Sequence, residues 1–107
     1  MQLLFHLASR SRPEKMFKCI ENIMDKCASP GYQILITLDD NDFTCNNPVV
    51  KNRLKNYPNL KYFFNYSKNK IHAFNRDIEK ADPWDIIIGT SDDIEFIMPG
   101  FDDQIRA

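Results

Sequence analysis

Glycine is scarce in this 107-residue sequence: Gly31, Gly89 and Gly100 are its only three. That scarcity excludes a glycine-rich phosphate loop, and with it P-loop nucleotide hydrolases and dehydrogenases carrying a dinucleotide fingerprint. The three cysteines, Cys19, Cys27 and Cys45, follow no metal-ligand spacing and leave an odd one if paired. They read as reduced thiols of a cytoplasmic protein, not as a disulfide framework. His6 and His72 stand apart from them, so no zinc ligand set can be assembled. Neither sign of charge dominates, with 14 Lys and Arg against 15 Asp and Glu for a net charge of -1. A protein dedicated to nucleic acid or to an anionic membrane carries a basic surplus, so neither is expected as a partner. A long hydrophobic run is missing too. Met1-Gln2-Leu3-Leu4-Phe5-His6-Leu7-Ala8 is apolar but short, has no basic leader and runs straight into Ser9-Arg10-Ser11-Arg12. It reads as a buried strand, not as a signal peptide or a membrane span.

What is present is an ordinary folded composition, 43% hydrophobic, 12% aromatic and 27% charged, in a length that suits one domain over residues 1–107. Leu3 to Ala8 has the near-continuous apolar character of a strand covered on both faces. Ser11, Pro13 and Glu14 form the pattern of a capping box with proline in the first turn. Phe17, Ile20, Ile23, Met24 and Cys27 then make a helical stripe that Ser29-Pro30-Gly31 ends. Tyr32 to Leu38 is a second strand, running into Asp39-Asp40-Asn41-Asp42. Asn46-Asn47-Pro48 opens a short helix that Tyr57-Pro58 closes, and Leu60 to Tyr66 is an aromatic-rich third strand. Ile71, Phe74, Ile78 and Ala81 mark one face of a further helix, broken by Asp82-Pro83. Asp85 to Gly89 is a fourth strand. Strands alternating with helices predict an α/β fold, a mostly parallel sheet of about four strands with flanking helices.

In such a sheet, ligands bind beyond the carboxyl ends of the strands. Three strand ends here carry polar clusters: Ser9-Arg10-Ser11-Arg12, Asp39-Asp40-Asn41-Asp42 and Thr90-Ser91-Asp92-Asp93. Adjacent carboxylates such as Asp92 and Asp93 repel each other unless a cation or hydrogen-bond donors offset the charge. Mg²⁺ takes one or two carboxylates together with phosphate oxygens, which suits a diphosphate leaving group. A solvated turn with Asp93 capping a short segment accounts for the same residues. Asp39, Asp40 and Asp42 can accept hydrogen bonds from a ribose hydroxyl or a base, or simply form an Asp/Asn turn. Arg10 and Arg12 precede a helix N-terminus, where an anion is favoured, and read equally as surface arginines. His6, inside an apolar strand, reads as a core histidine.

The order of these motifs resembles family 2 glycosyltransferases of the GT-A fold, a Rossmann-like architecture. The resemblance rests on Ser9-Arg10-Ser11-Arg12-Pro13-Glu14 after the first strand and Leu38-Asp39-Asp40 after the second. It continues in Asn69-Lys70-Ile71-His72-Ala73-Phe74-Asn75, in Ile88-Gly89-Thr90-Ser91-Asp92-Asp93 and in Met98-Pro99-Gly100-Phe101-Asp102. It implies a nucleotide-diphosphate sugar as donor, a saccharide or other hydroxyl acceptor, and Mg²⁺ or Mn²⁺. Asp39 or Asp40 would contact the nucleoside, helped by Arg10. Asn75 would support the sugar-nucleotide pocket, and Asp92 and Asp93 would hold the metal and diphosphate. The sequence departs from the pattern where Thr90 stands at the first position of the Asp-x-Asp motif. The family's acceptor half and catalytic base lie beyond that motif, so residues 1–107 are expected to be the nucleotide-binding half of a longer enzyme, with the catalytic residue unknown. The alternative is a non-catalytic binding or interaction domain that retains the fold. A receiver-type signalling domain is disfavoured, since Ser9-Arg10 and Tyr66-Ser67 stand where its acidic residues belong.

Overall fold

The computed structural model describes residues 2–66, 77–92 and 94–106. Four strands, β1 (Leu3–Ser9), β2 (Tyr32–Asp39), β3 (Leu60–Asn65) and β4 (Ile86–Ser91), form one sheet in the order β3-β2-β1-β4. Every pairing is parallel. Helices α1 (Pro13–Lys26), α2 (Pro48–Lys55) and α3 (Phe101–Arg106) flank it. The result is a Rossmann-like α/β half-domain, as the alternation of elements predicts.

The two central strands carry the longest apolar runs because both of their faces are covered. Leu3, Phe5 and Leu7 of β1 and Ile34, Ile36 and Leu38 of β2 meet Met16, Phe17, Ile20 and Ile23 of α1 and Leu54 of α2 in one core. Each such side chain, fully withdrawn from water, contributes about 1.5–3 kcal/mol. On the opposite face Leu4, His6, Leu35 and Thr37 are no more than 1% exposed. The described residues just before β4, from Asp77 to Asp82, lie against that face. The Gln33 side chain donates to the Asp82 carbonyl and accepts from the Asp82 N–H. The Thr37 hydroxyl donates to the carboxylate of fully buried Asp77 at 3.0 Å. Thr37 Oγ also lies 2.9 Å from His6 Nε2, which makes His6 the core histidine its position implied.

Several local expectations change. Ser11 takes a left-handed φ of 59°, so Arg12 is the N-cap of α1 and no side chain caps it. The capping box therefore does not form, although Pro13 does open the helix. At its other end α1 stops at Lys26, before Ser29-Pro30-Gly31. The stop is set from far along the chain. Buried Asp102 accepts from the Ala28 and Ser29 N–H groups, and Gly100 donates to the Lys26 carbonyl. Gly100 does this at a φ of 77°, a conformation that suits glycine. Asn47 caps α2 as expected, accepting from the Val50 N–H at 3.0 Å. Of the helix predicted through Ile71, Phe74, Ile78 and Ala81, its first two marker residues lie outside the described residues. Ile78–Lys80 is a single 3-10 turn, and Ala81 is already extended. β4 runs to Ser91, past Gly89, because its pairing with β1 continues to Ala8.

Candidate functional site at the carboxyl edge of the sheet

Register places the three polar clusters together. Ser9 lies opposite Leu38, Ala8 opposite Ser91, and Asp39 opposite Asn65, so all four strands end at one level. The chain leaves β1 towards β2, whereas β4 lies on the other side of β1. Strand order therefore reverses between β1 and β4, and such a reversal opens a crevice at the carboxyl edge of an α/β sheet.

The turn between β1 and α1 sits over this crevice and touches both neighbouring strand ends. Arg10 donates to the Asp39 carboxylate at 2.7 Å and to the Asn41 side-chain oxygen at 2.9 Å. On the other flank, the Ser9 hydroxyl donates to Asp92 Oδ2 at 3.0 Å, and the Arg12 guanidinium lies 3.5 Å from Asp92 Oδ1. The Asp92 side chain is 6% exposed, against 22% for Asp39. Two acidic side chains, 53 positions apart by number (92 − 39), are thus joined to a single turn, each through an arginine.

Asp42 is what fixes that turn. Its carboxylate accepts the Ser11 N–H at 2.7 Å and the Thr44 hydroxyl at 2.5 Å, and the residue is 4% exposed. Burial pushes its carboxyl pKa upward, but these hydrogen bonds outweigh that and hold it below the ordinary value. Asp39, Asp40 and Asp42 therefore do different things. Asp39 pairs with Arg10, Asp42 staples two loops together, and Asp40 is exposed, with no hydrogen bond to its carboxylate among the described residues. The Asp40 backbone is anchored at both groups, its N–H to the Asn65 carbonyl and its carbonyl to the Asn46 side chain.

Asn75 and Asp93 lie outside the described residues. Among the described residues no group of three or more His, Cys, Asp and Glu side chains could hold a metal. What the edge offers an ion is the hard carboxylate of Asp92. It is of the oxygen class that Mg²⁺ and Mn²⁺ take, one or two carboxylates at a time, together with phosphate oxygens and water, and here it is met by Ser9 and Arg12.

A cleft of about 210 Å³ adjoins Asp92, lined on the α1 side by Lys15, Lys18 and Asn22 and on the other by Ile94 and Glu95. These helix residues recur at three- and four-residue spacing, a polar stripe beside the apolar one, and that spacing was the sequence signal for them. A larger cavity of about 270 Å³ lies at the opposite, amino-terminal end of the sheet, lined by Gln2, Gln33, Asn59 and Lys61 among others. Its Gln33 and Lys61 are bonded to Asp82, as Asn22 of the smaller cleft is bonded to the Phe96 backbone. The Cys19 thiol facing that cleft is pushed up to about 11, by burial first and by the Asp92 charge second, which makes it a poor nucleophile.

No protein-family model, curated protein or solved structure matches this chain. No helix among the described residues is long and apolar enough to cross a membrane.

Proposed function

We propose that the carboxyl edge of this sheet binds the nucleoside diphosphate of a nucleotide sugar, as the donor-binding module of a family 2-like glycosyltransferase. The observation that carries this reading is the joining of Asp39 and Asp92 to opposite flanks of one arginine-bearing turn at a strand-order reversal. Asp39 and exposed Asp40 present carboxylate acceptors suited to ribose hydroxyls or a base N–H. Arg10 holds Asp39 in orientation and keeps further guanidinium donors for phosphate. Asp92, with Asp93 beside it in the sequence, would hold Mg²⁺ or Mn²⁺. Bound there, the ion would supply charge neutralisation for a departing nucleoside diphosphate. The acceptor, a saccharide or another hydroxyl compound, would have to approach from outside the described edge.

Isothermal titration with UDP and GDP, each with and without Mn²⁺, tests the proposal on the intact chain, on Asp39→Asn and on Asp92→Asn. Binding should depend on Mn²⁺ in the parent chain and lose that dependence in Asp92→Asn. Asp39→Asn should weaken binding equally with and without the ion. Identical isotherms for all three proteins would refute the assignment.

A non-catalytic interaction domain is the second reading. The observation favouring it is the run after β4, where Ile97 is 81% exposed with Ile94 and Met98 also open to solvent. Clustered apolar exposure of this kind marks contact surfaces. That reading expects no Mn²⁺-dependent nucleotide affinity, so the same titration separates the two.

A further inference from the structure

We infer that the outer edge of β4 is an association surface, and that its occupant is β4 of a second copy of this chain, paired antiparallel across a twofold axis. The flank of the sheet alone decides this, whatever the carboxyl edge binds. Strand order leaves two edges, β3 and β4, and among the described residues no strand lies beyond either. Along such an edge every second residue turns its N–H and C=O away from the sheet, a row of groups that another extended strand can pair.

The two edges are dressed differently. β3 has Lys61 within it, bonded to Asp82, and the ammonium groups of Lys51 and Lys80 lie over the Phe64 and Phe63 rings. Charged side chains of this kind discourage a second strand. β4 is Ile86-Ile87-Ile88-Gly89-Thr90-Ser91, with no charge and no proline. It has the apolar character of an inner strand, yet none of its six residues is buried, whereas six of the seven in β1 are. Its neighbours in the chain extend the apolar surface. Trp84, just before it, and Ile94, Ile97 and Met98, just after it, are all exposed, Ile97 at 81%. That last run is not loose. Asn22 of α1 exchanges two hydrogen bonds with the Phe96 backbone, and the Phe96 ring is stacked on Phe101 and edge-on to Phe5. Phe96 therefore faces the core while Ile94 and Ile97 are held outward.

The chemistry of this edge selects a copy of itself. In antiparallel pairing the bulky half of one strand, Ile86, Ile87 and Ile88, meets the small half of the other, Gly89, Thr90 and Ser91, so size is complementary along the joint. No charged side chain is brought into it. The carboxylates at its ends are answered within the chain, Asp85 by the Gln2 N–H and Asp92 by Ser9 and Arg12. Six strand residues span about 20 Å. Such a strip alone is smaller than the roughly 600–1,000 Å² that each partner contributes to a stable interface, and the surfaces of Trp84, Ile94 and Ile97 beside its two ends supply the rest.

Sedimentation equilibrium and amide hydrogen exchange test this on the intact chain, from low micromolar to near millimolar concentration. The parent should move from the mass of one chain to that of two, and the β4 amides that face away from β1 should exchange more slowly as the dimer fills. Ile87→Lys should raise the dissociation constant about tenfold, because the twofold brings two lysines to one joint. Ile97→Ser, at a side chain too open to matter for folding, should weaken the dimer too, whereas Val49→Ser, equally exposed on α2, should leave it unchanged. A parent that stays single at the highest concentration overturns the inference. So does a dimer that Val49→Ser weakens while Ile87→Lys and Ile97→Ser do not, or one whose β4 amides exchange at the same rate at every concentration. No nucleotide or metal enters these measurements, so their failure and the failure of the donor reading are told apart.

Discussion

Replacing Asp42 with alanine should loosen the candidate site by releasing the turn between β1 and α1. The substitution removes the acceptor of the Ser11 N–H, at 2.7 Å, and of the Thr44 hydroxyl, at 2.5 Å. A hydrogen bond to an ionised group contributes about 1.5–3 kcal/mol when its partner cannot find water. Ser11 and Thr44 are both exposed residues, so water can replace part of each bond, and what is lost most is the fixing of the Ser11 backbone at a φ of 59° that serine does not favour. The expected cost is about 2 kcal/mol, a sizeable share of the roughly 5–15 kcal/mol that holds a domain together. In urea this is a midpoint lower by about 1 M, for a slope near 2 kcal/mol per M. The pH dependence supplies a second check. Because the Asp42 carboxyl lies below its ordinary 3.8, its stabilisation is complete above that value and is lost as pH falls through the lower folded-state value. The gap between parent and Asp42→Ala should thus be full near neutrality and narrow as the pH falls below 3.8. A midpoint shift under about 0.2 M at pH 7, or a gap that persists unchanged into acid, would refute the stapling role.

Two further outcomes follow from the same geometry. Asn47→Ala removes the side chain that accepts the Val50 N–H, and should cost about 1 kcal/mol in denaturant unfolding while leaving nucleotide titrations unchanged. Cys19 and Cys45 have thiols raised to about 11, by burial first and then by Asp92 and Asp42 respectively, and Cys27 reaches about 12. At pH 8 about one in a thousand of the Cys19 and Cys45 thiols, and about one in ten thousand of Cys27, is ionised, so iodoacetamide followed by mass spectrometry should label the native protein slowly and the urea-unfolded protein fast. Rapid native labelling of Cys19 would contradict its placement against the β4 end.

Periodicity and composition carried the architecture because burial leaves a direct imprint on residue type. β1 and β2 are covered on both faces, and Leu3 to Leu7 and Ile34 to Leu38 are apolar almost throughout. Parallel order then brings strand ends to one edge, so the meeting of the Arg10, Asp39 and Asp92 clusters was legible too. Division of labour inside a cluster was not. Asp39, Asp40 and Asp42 have the same chemistry, and only the path of the backbone decides that one pairs, one faces solvent and one is buried. Long-range partners were equally silent. Ser11 reads as a cap until Asp42 claims its N–H, and Ser29-Pro30-Gly31 reads as the helix stop until Asp102 ends the helix earlier. Asp102 itself looked like the end of the family-like run that starts at Met98. In the fold it is a fully buried anchor for Arg106 and for the chain just after α1.

The middle position of β1 shapes how the protein is made. Its one edge is closed by β2, soon after it in the chain, whereas the other waits for β4, which begins only at Ile86. On the ribosome, a strand as apolar as Leu3–Ser9 therefore stays open along one side while everything between Ser9 and Ile86 is synthesised. An unpaired apolar edge is the template on which nascent chains stick to one another. The arrangement that creates the crevice between β1 and β4 thus makes β4 the strand that covers this edge of β1.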